Sequence, residues 1–278
     1  MVTLSAGAQV SVGDRAYLVQ GEPETEPTPD RTAALRQVRA LRLGPPHHQV
    51  WLRQVTVDVE SPAAREEIIA LRREHELLEQ LNGRHRGLPR PIELVQGDGV
   101  STLIMDWPVT GNRRDPCGTL TEFAPRPGEQ VDSWQAATVC RGLAGIGSAL
   151  SVLHAAQYAH RRLTPGGICW LDDWTFALRD LGDATRPARP GAGSVGYRAP
   201  EQGFRRHAQV GPWTDVFLLA AIAYHLVTGY QPIAEPPLPV RVLVPKLAAG
   251  MAEAIDAALS DDPARRPGMD RLVEALSD

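Results

Sequence analysis

The sequence predicts an α+β fold with two lobes, a small β-rich lobe with one long helix and a larger, mainly helical lobe. In the N-terminal third of the chain, apolar and polar residues alternate with the period of two that is typical of strands. Beyond residue 111 this alternation gives way to longer apolar segments that suit helices. We therefore expect the first lobe over residues 1–107 and the second over residues 108–278.

Five segments of the first lobe are predicted strands because they combine alternation with β-branched or aromatic residues. They are AYLVQ (16–20), ALRQVRALRL (34–43), QVWLRQVTV (49–57), PIELVQ (91–96) and STLIMDW (101–107). The segment GEPETEPTPDRT (21–32) is acidic and rich in proline, which predicts a polar loop between the first two strands. Residues 63–81 predict an amphipathic helix that begins after Ser61 and Pro62.

The second lobe is predicted to contain four helices, over residues 133–154, 215–228, 247–259 and 269–276. The proline-punctuated segment GYQPIAEPPLPVRVLVPK (229–246) is expected to run along the surface. The longest apolar run, VFLLAAIAYHLV from Val216, is too short to span a bilayer and favours a buried core helix.

Net charge, cysteine spacing and the N-terminal segment bear on which partners and which location to expect for this chain. The net charge of −4 provides no general attraction to nucleic acid or to an anionic membrane. Three widely spaced cysteines, without metal-ligand spacing, are typical of buried thiols in a reducing compartment. The N-terminus shows no basic stretch followed by an apolar core, so we expect no signal peptide and a cytoplasmic location.

Seven short segments, in order along residues 50–267, resemble the protein kinase family of the bacterial Ser/Thr (Hanks) type. They are VWLR (50–53), REHELLEQL (73–81), HRRLTPGG (160–167), DLG (180–182), GSVGYRAPE (193–201), TDVFLLAAIAYHLVTG (214–229) and DDPARRP (261–267). These segments are similar to the family's V-A-I-K strand, αC helix, H-R-D catalytic loop, D-F-G and A-P-E motifs, the buried helix that follows, and a late arginine motif.

The resemblance implies a degenerate nucleotide pocket in the first lobe. Arg53 replaces the lysine that contacts phosphate, and it is expected to pair with Glu74. Trp51 replaces the small residue that packs against adenine, so it should crowd that position. The glycine-rich loop corresponds to GEPETEPTPDRT, which has one glycine and four acidic residues and therefore suits phosphate poorly.

The connector between the lobes also departs from the family pattern. Met105 is expected at the back of the pocket, and Asp106 is expected to begin the hinge. Pro108 falls where a backbone N–H would donate to adenine, and proline has no N–H.

In the second lobe, the resemblance places Arg162 at the catalytic aspartate and Gly167 at the metal-binding asparagine. A guanidinium cannot accept a proton, and glycine offers no side-chain ligand. Asp180 is the remaining member of the metal set and would act only if a metal binds, with Asp172, Asp173 or Asp183 as possible substitutes.

The retained positions are structural ones. Glu201 and Arg266 correspond to a buried ion pair of the family. Asp215 is expected to hydrogen-bond the backbone of the catalytic loop.

We therefore expect a pseudokinase, a kinase-like domain that has no catalytic residues, binds ATP weakly or not at all, and serves as a protein-binding scaffold or allosteric regulator. A protein partner is expected, with no nucleic acid, no membrane within this chain and no cofactor. The alternative is an enzyme, a divergent kinase or nucleotidyl transferase that binds ATP and Mg²⁺ in a changed pose through Arg53, Glu74 and Asp180. A third hypothesis is a phosphopeptide or anion sensor, in which Arg161, Arg162 and Arg198 form a basic cluster.

Overall fold

A computed structural model describes residues 4–45, 47–109, 117–126, 129, 131–171, 174–203, 209–233 and 237–278. The chain divides into two compact units. The first comprises Met1–Gly83 with Pro89–Cys117, and the second comprises Arg84–Leu88 with Gly118–Asp278. The mixed composition of a β-rich first unit and a mainly helical second unit confirms the predicted α+β class.

The first unit is a six-stranded antiparallel sheet with one helix. Its elements are β1 (Gln9–Val12), β2 (Arg15–Pro27), β3 (Ala33–Arg42), β4 (His48–Val57), α1 (Pro62–Leu81), β5 (Pro91–Gly97) and β6 (Val100–Asp106). The strand order is β1-β2-β3-β4-β6-β5. One face of the sheet buries an apolar cluster that includes Tyr17, Val38, Leu52 and Ile104. The period of two places Trp51 and Arg53 on the opposite face of β4.

The prediction of a loop over residues 21–32 is wrong, since β2 continues to Pro27. Its pairing with β3 shifts register between Gln20 and Glu24, and Pro23 lies within that irregularity, where no regular ladder hydrogen bond is required. The residues of β2 that follow Leu18 do not pair with β1. The C-terminal half of β2 is therefore an edge of the sheet, where proline and acidic side chains are tolerated.

The second unit is mainly helical in its described residues. Its elements are α2 (Ser133–Ala155), β7 (Ile168–Trp170), β8 (Phe176–Leu178), α3 (Pro212–Thr228), α4 (Val240–Leu243), α5 (Ala249–Ala258) and α6 (Met269–Ser277). The segment 229–246, expected on the surface, contains the short helix α4, whose Val240 is fully buried.

Among the described residues, α2 is the one helix long and apolar enough to cross a membrane by length and composition. Its apolar window is 67% buried inside the protein. It packs against α3 and α6, so α2 is a core helix of the second unit.

Candidate functional site

Two tryptophans occupy the sheet face that carries Arg53. Trp51 on β4 pairs in register with Met105 on β6, and both residues are buried. The ring of Trp51 lies 5.5 Å from the ring of Trp107, which immediately follows β6. An indole at position 51 therefore fills space on this face that alanine would leave open.

A buried ion pair joins β4 to α1. Arg53 Nη1 lies 2.5 Å from Glu74 Oε1, and the side chains are 2% and 3% exposed. Water solvates neither charge well at this burial, so the attraction between the two side chains helps to offset their lost hydration. The pair thereby fixes α1 against the sheet.

Two residues of the connector, Asp106 and Pro108, have polar contacts with nearby residues. The carboxylate of Asp106 lies 2.8 Å from Nε2 of His48, at the start of β4. Burial raises the pKa of Asp106, and the nearby His48 opposes that shift. The carbonyl of Pro108 accepts a hydrogen bond of 3.0 Å from the backbone N–H of Cys117.

The turn between β2 and β3, at the position of the family's phosphate loop, is closed by its own side chains. The carboxylate of Asp30 accepts 2.7 Å hydrogen bonds from the hydroxyls of Thr28 and Thr32. The hydroxyl of Thr28 accepts from the backbone N–H groups of Thr32 and Ala33, each at 3.1 Å. These hydroxyls hold the pKa of Asp30 well below its usual range, so it remains a carboxylate.

This turn is tied to helix α1. The hydroxyls of Thr32 and Ser61 lie 2.6 Å apart, and Ser61 caps α1 by accepting from the N–H of Ala64 at 3.0 Å. Sequence reasoning missed this network. Thr28, Asp30 and Thr32 at alternate positions are a local signal for it, because short polar side chains often close turns.

In the second unit, Asp215 holds the backbone of the loop 160–167. Its two carboxylate oxygens accept from the N–H groups of His160 and Arg161, each at 2.7 Å. Asp215 also lies 2.8 Å from Nε2 of His154 on α2. Arg161 has a φ of +62°, an uncommon conformation that these two hydrogen bonds stabilise.

His160 links this loop to the segment around Asp180. Its Nε2 lies 3.1 Å from the backbone carbonyl of Asp180. Burial lowers the pKa of His160, which favours the neutral imidazole. His160 therefore supports the loop as a neutral hydrogen-bonding group.

Arg162, at the catalytic position, faces an acidic side chain. Its Nη1 lies 3.8 Å from the carboxylate of Asp183, which also pairs with Arg186 at 2.9 Å. At the metal-binding position, Gly167 donates its N–H to the hydroxyl of Thr164 at 3.2 Å. A Cβ on Gly167 would lie 3.6 Å from that hydroxyl oxygen, so a Cβ atom fits there in ordinary van der Waals contact.

The carboxylate of Asp180 contacts two neighbouring residues of the chain, Arg179 and Gly182. One oxygen lies 3.1 Å from Nε of Arg179, and the other accepts from the N–H of Gly182 at 2.8 Å. Asp172 and Asp173, two predicted substitute ligands, lie outside the described residues. Within the residues that the structure describes, no group of three or more His, Cys, Asp or Glu side chains is arranged to hold a metal ion.

Glu201 and Arg266 form a bidentate pair. The two hydrogen bonds measure 2.7 Å and 2.9 Å, and the side chains are 1% and 0% exposed. Glu201 also accepts from the hydroxyl of Thr214 at 2.9 Å, and Arg266 donates to the carbonyls of Ser260 and Trp213. The pair fixes the segment after the loop to the C-terminal helices.

Two arginines of the hypothesised anion sensor, Arg161 and Arg198, donate hydrogen bonds to backbone carbonyls of the protein. Arg161 donates through Nη2 to the backbone carbonyls of Asp183 and Arg186. Arg198 donates to the carbonyl of Gly193 at 3.0 Å. These two guanidinium groups therefore support the protein's own backbone. Sequence reasoning also missed Arg179, whose position next to Asp180 was its only sequence signal.

Comparison with known proteins finds sequence similarity to serine/threonine-protein kinases. No protein-family model matches the chain. PknA, a serine/threonine-protein kinase of Mycobacterium tuberculosis, is 32% identical over 140 residues, which covers 43% of this chain and 31% of PknA. Human serine/threonine-protein kinase 16 is 26% identical over 171 residues, covering 51% of this chain and 54% of that protein. Mouse PLK5, named an inactive serine/threonine-protein kinase, is 29% identical over 147 residues, covering 48% and 24%.

These matches span about a third of PknA and about half of kinase 16. The solved structure "PpkA-294 apo form" superposes with a TM-score of 0.68 and 18% identity over 99% of both chains. The chain therefore has the protein kinase-like fold and is a relative of the Hanks-type Ser/Thr protein kinases.

Proposed function

We propose that this chain is a cytoplasmic pseudokinase that does not transfer phosphate and acts on a protein partner as a scaffold or allosteric regulator. The observation that carries the proposal is Arg162 at the position of the catalytic base. A guanidinium stays protonated at any physiological pH and cannot take a proton from a hydroxyl. Its neighbour Asp183 is paired with Arg186 and lies 3.8 Å from Arg162 itself.

The metal positions support the same conclusion. Mg²⁺ binds oxygen ligands in near-octahedral geometry, and Gly167 supplies none through a side chain. A cation at Asp180 would compete with Arg179, whose Nε lies 3.1 Å from the carboxylate. The residues present do not fit a metal-bound triphosphate, so the proposal includes no metal-assisted step.

The turn at residues 28–32 also argues against triphosphate binding. A phosphate-binding loop offers free backbone N–H groups, usually between glycines. In this turn the N–H groups of Thr32 and Ala33 already donate to the side chain of Thr28. The carboxylate of Asp30, kept ionised by its hydroxyl donors, would in addition repel phosphate.

A second candidate is an active but divergent kinase or nucleotidyl transferase. The buried Arg53–Glu74 pair favours it, because a cation held in place on the sheet face could still contact phosphate. In that mechanism Asp180 would be the acidic residue that handles the metal. The names of the relatives fit either candidate, since PknA is named a kinase and PLK5 an inactive one.

Thermal shift with ATP and Mg²⁺ or Mn²⁺ separates the two candidates. A ligand at a hundred times its Kd stabilises a protein by about 2.7 kcal/mol, an increase in Tm of roughly 5–11 °C for a domain of this size. We expect no saturable shift for the wild type and none for Asp180→Ala. A saturable shift accompanied by ATP turnover, with turnover abolished in Asp180→Ala, would establish the enzyme instead.

A further inference from the structure

A proline-rich segment of the second unit, EPPLPVR (235–241), lies outside the candidate site. The structure describes this segment from Pro237, and it leads into the short helix α4. The prolines at positions 237 and 239 fix φ at about −65° and lack a backbone N–H. Both properties favour the polyproline II conformation, which has no internal hydrogen bonds.

The backbone at Pro239 has this conformation. Its φ of −56° and ψ of 139° lie close to the polyproline II values of about −75° and about +145°. Helix α4 begins at the next residue, Val240, which is fully buried. The N–H of Val240 donates to the carboxylate of Asp256 at 3.0 Å, so the end of the segment is fixed where it joins α4.

The segment is held by its backbone, while its side chains face water. The carbonyl of Leu238 accepts a hydrogen bond of 2.9 Å from the hydroxyl of Tyr224 on α3. Leu238 is nonetheless 59% exposed, and Pro239 is exposed as well. A leucine–proline pair on a backbone that is already fixed loses little conformational entropy when a partner binds it.

Residues 237–239 form a ridge between two concavities of the surface. Leu238 lines a cavity of about 620 Å³ on one side, and Pro239 lines a cavity of about 670 Å³ on the other. Pro237 lines both cavities. A partner can therefore reach both sides of the ridge, as it must if the ridge is to enter a groove.

A basic side chain follows the leucine–proline pair. The side chain of Arg241, two residues beyond Pro239, is 55% exposed. Its guanidinium lies 4.0 Å from the carboxylate of Glu253, whose side chain is 71% exposed, so this contact is a weak surface ion pair. A carboxylate of a partner can replace it at small cost, and Arg241 then adds charge complementarity to the apolar contact.

Polyproline II segments are recognised by grooves that are lined with aromatic side chains, as in SH3 and WW domains. Such recognition exploits a conformation that is formed before binding, so little entropy is lost. The exposed Leu238 and Pro239 fit a groove of this kind. The exposed Arg241 fits an acidic residue beside the groove.

We propose that residues 237–241 are a polyproline ligand that this chain presents to a partner domain with an aromatic-lined groove. Leu238 and Pro239 pack on the aromatic side chains of that groove, and Arg241 pairs with a carboxylate at its edge. The inference rests on the proposed function, because it names the surface and the partner chemistry for a chain that acts by binding protein.

Titration of the immobilised whole chain with a panel of purified SH3 and WW domains, measured by biolayer interferometry, tests the proposal. At least one domain should bind saturably. Leu238→Ser should weaken that binding about tenfold, since it removes most of an apolar side chain from the contact. Pro239→Ala should also weaken it about tenfold, because alanine neither fixes φ nor offers a ring. Arg241→Gln should weaken it about threefold and reduce its salt dependence.

Two variants on the same unit are matched controls. Trp134→Ser removes a tryptophan that is 67% exposed, and Pro187→Ala/Pro190→Ala removes another pair of exposed prolines. Both should leave the Kd within about twofold of the wild-type value, since neither touches the ridge.

No binding by any domain of the panel would overturn the proposal, as would binding whose Kd is unchanged in Leu238→Ser and Pro239→Ala. In analytical ultracentrifugation of the chain alone, a dimer that dissociates in Leu238→Ser would assign the ridge to contact between two copies, which would also overturn it. Turnover of ATP by the wild type would overturn the proposed function and leave the domain binding unaffected, so the two failures are distinguishable.

Discussion

The buried ion pair between Glu201 and Arg266 predicts a large loss in the free energy of unfolding when one partner is removed. Arg266→Ala removes two hydrogen bonds to the carboxylate of Glu201, of 2.7 Å and 2.9 Å. That carboxylate is 1% exposed, and the donor to it that the structure still shows is the hydroxyl of Thr214. Breaking one side of a buried pair costs about 3–5 kcal/mol. Since domains are stable by about 5–15 kcal/mol, the variant should be close to unfolding.

Urea denaturation measures this loss, and thermal unfolding should show a decrease in Tm of roughly 6–20 °C. The neighbouring Arg265→Ala is the matched control, because Arg265 is exposed and its removal should change the free energy of unfolding by less than about 0.5 kcal/mol. Glu201→Leu/Arg266→Met, which leaves no unpaired charge, should recover much of the loss. A loss below about 1 kcal/mol in Arg266→Ala would refute the reasoning.

Three further predictions concern buried groups. Arg53→Ala should lower the free energy of unfolding by about 3 kcal/mol, measured in urea, because it removes the cation that lies 2.5 Å from the buried carboxylate of Glu74; an unchanged midpoint would contradict this. Burial lowers the pKa of His160 and His225 in the folded state, so acidification below the unfolded value of 6.5 protonates the unfolded chain first. Urea midpoints should therefore fall between about pH 7 and pH 5.5, and a flat profile would be inconsistent with neutral buried histidines. Burial raises the pKa of the Cys140 thiol to about 12, so iodoacetamide at about pH 8 should label it only after unfolding, as mass spectrometry would show.

The strands and helices that form the frame could be predicted because their signals are local. The alternation in QVWLRQVTV gave β4, and the amphipathic pattern after Ser61-Pro62 gave α1 to within one residue. The strand β1 and the hairpin β7–β8 were not predicted, because segments of three or four residues carry too little pattern.

The extension of β2 was missed for a different reason. Proline and acidic residues disfavour a central strand, but the far half of β2 is an edge and contains a register shift that accommodates Pro23. Local composition does not reveal which half of a strand has a neighbour on both sides.

For the candidate site, the sequence predicted which residue types replace the family's catalytic groups, but not what those residues contact. The position of Arg162 could be assigned from the motif, whereas its approach to Asp183 depends on how the loop folds. The engagement of Asp180 by Arg179 and the closed turn around Asp30 likewise depend on side-chain geometry that no motif specifies.

Phosphate transfer from radiolabelled ATP, with Mg²⁺ or Mn²⁺ and a generic protein substrate, tests the central claim most directly. The wild type should transfer no phosphate above the level of a sample without protein, because Arg162 cannot accept the proton and Gly167 offers no ligand. The same assay on Arg162→Asp/Gly167→Asn, in which a Cβ atom fits at position 167, shows whether these two residues alone account for the absence of transfer. Transfer by the wild type that disappears in Asp180→Ala would contradict the account.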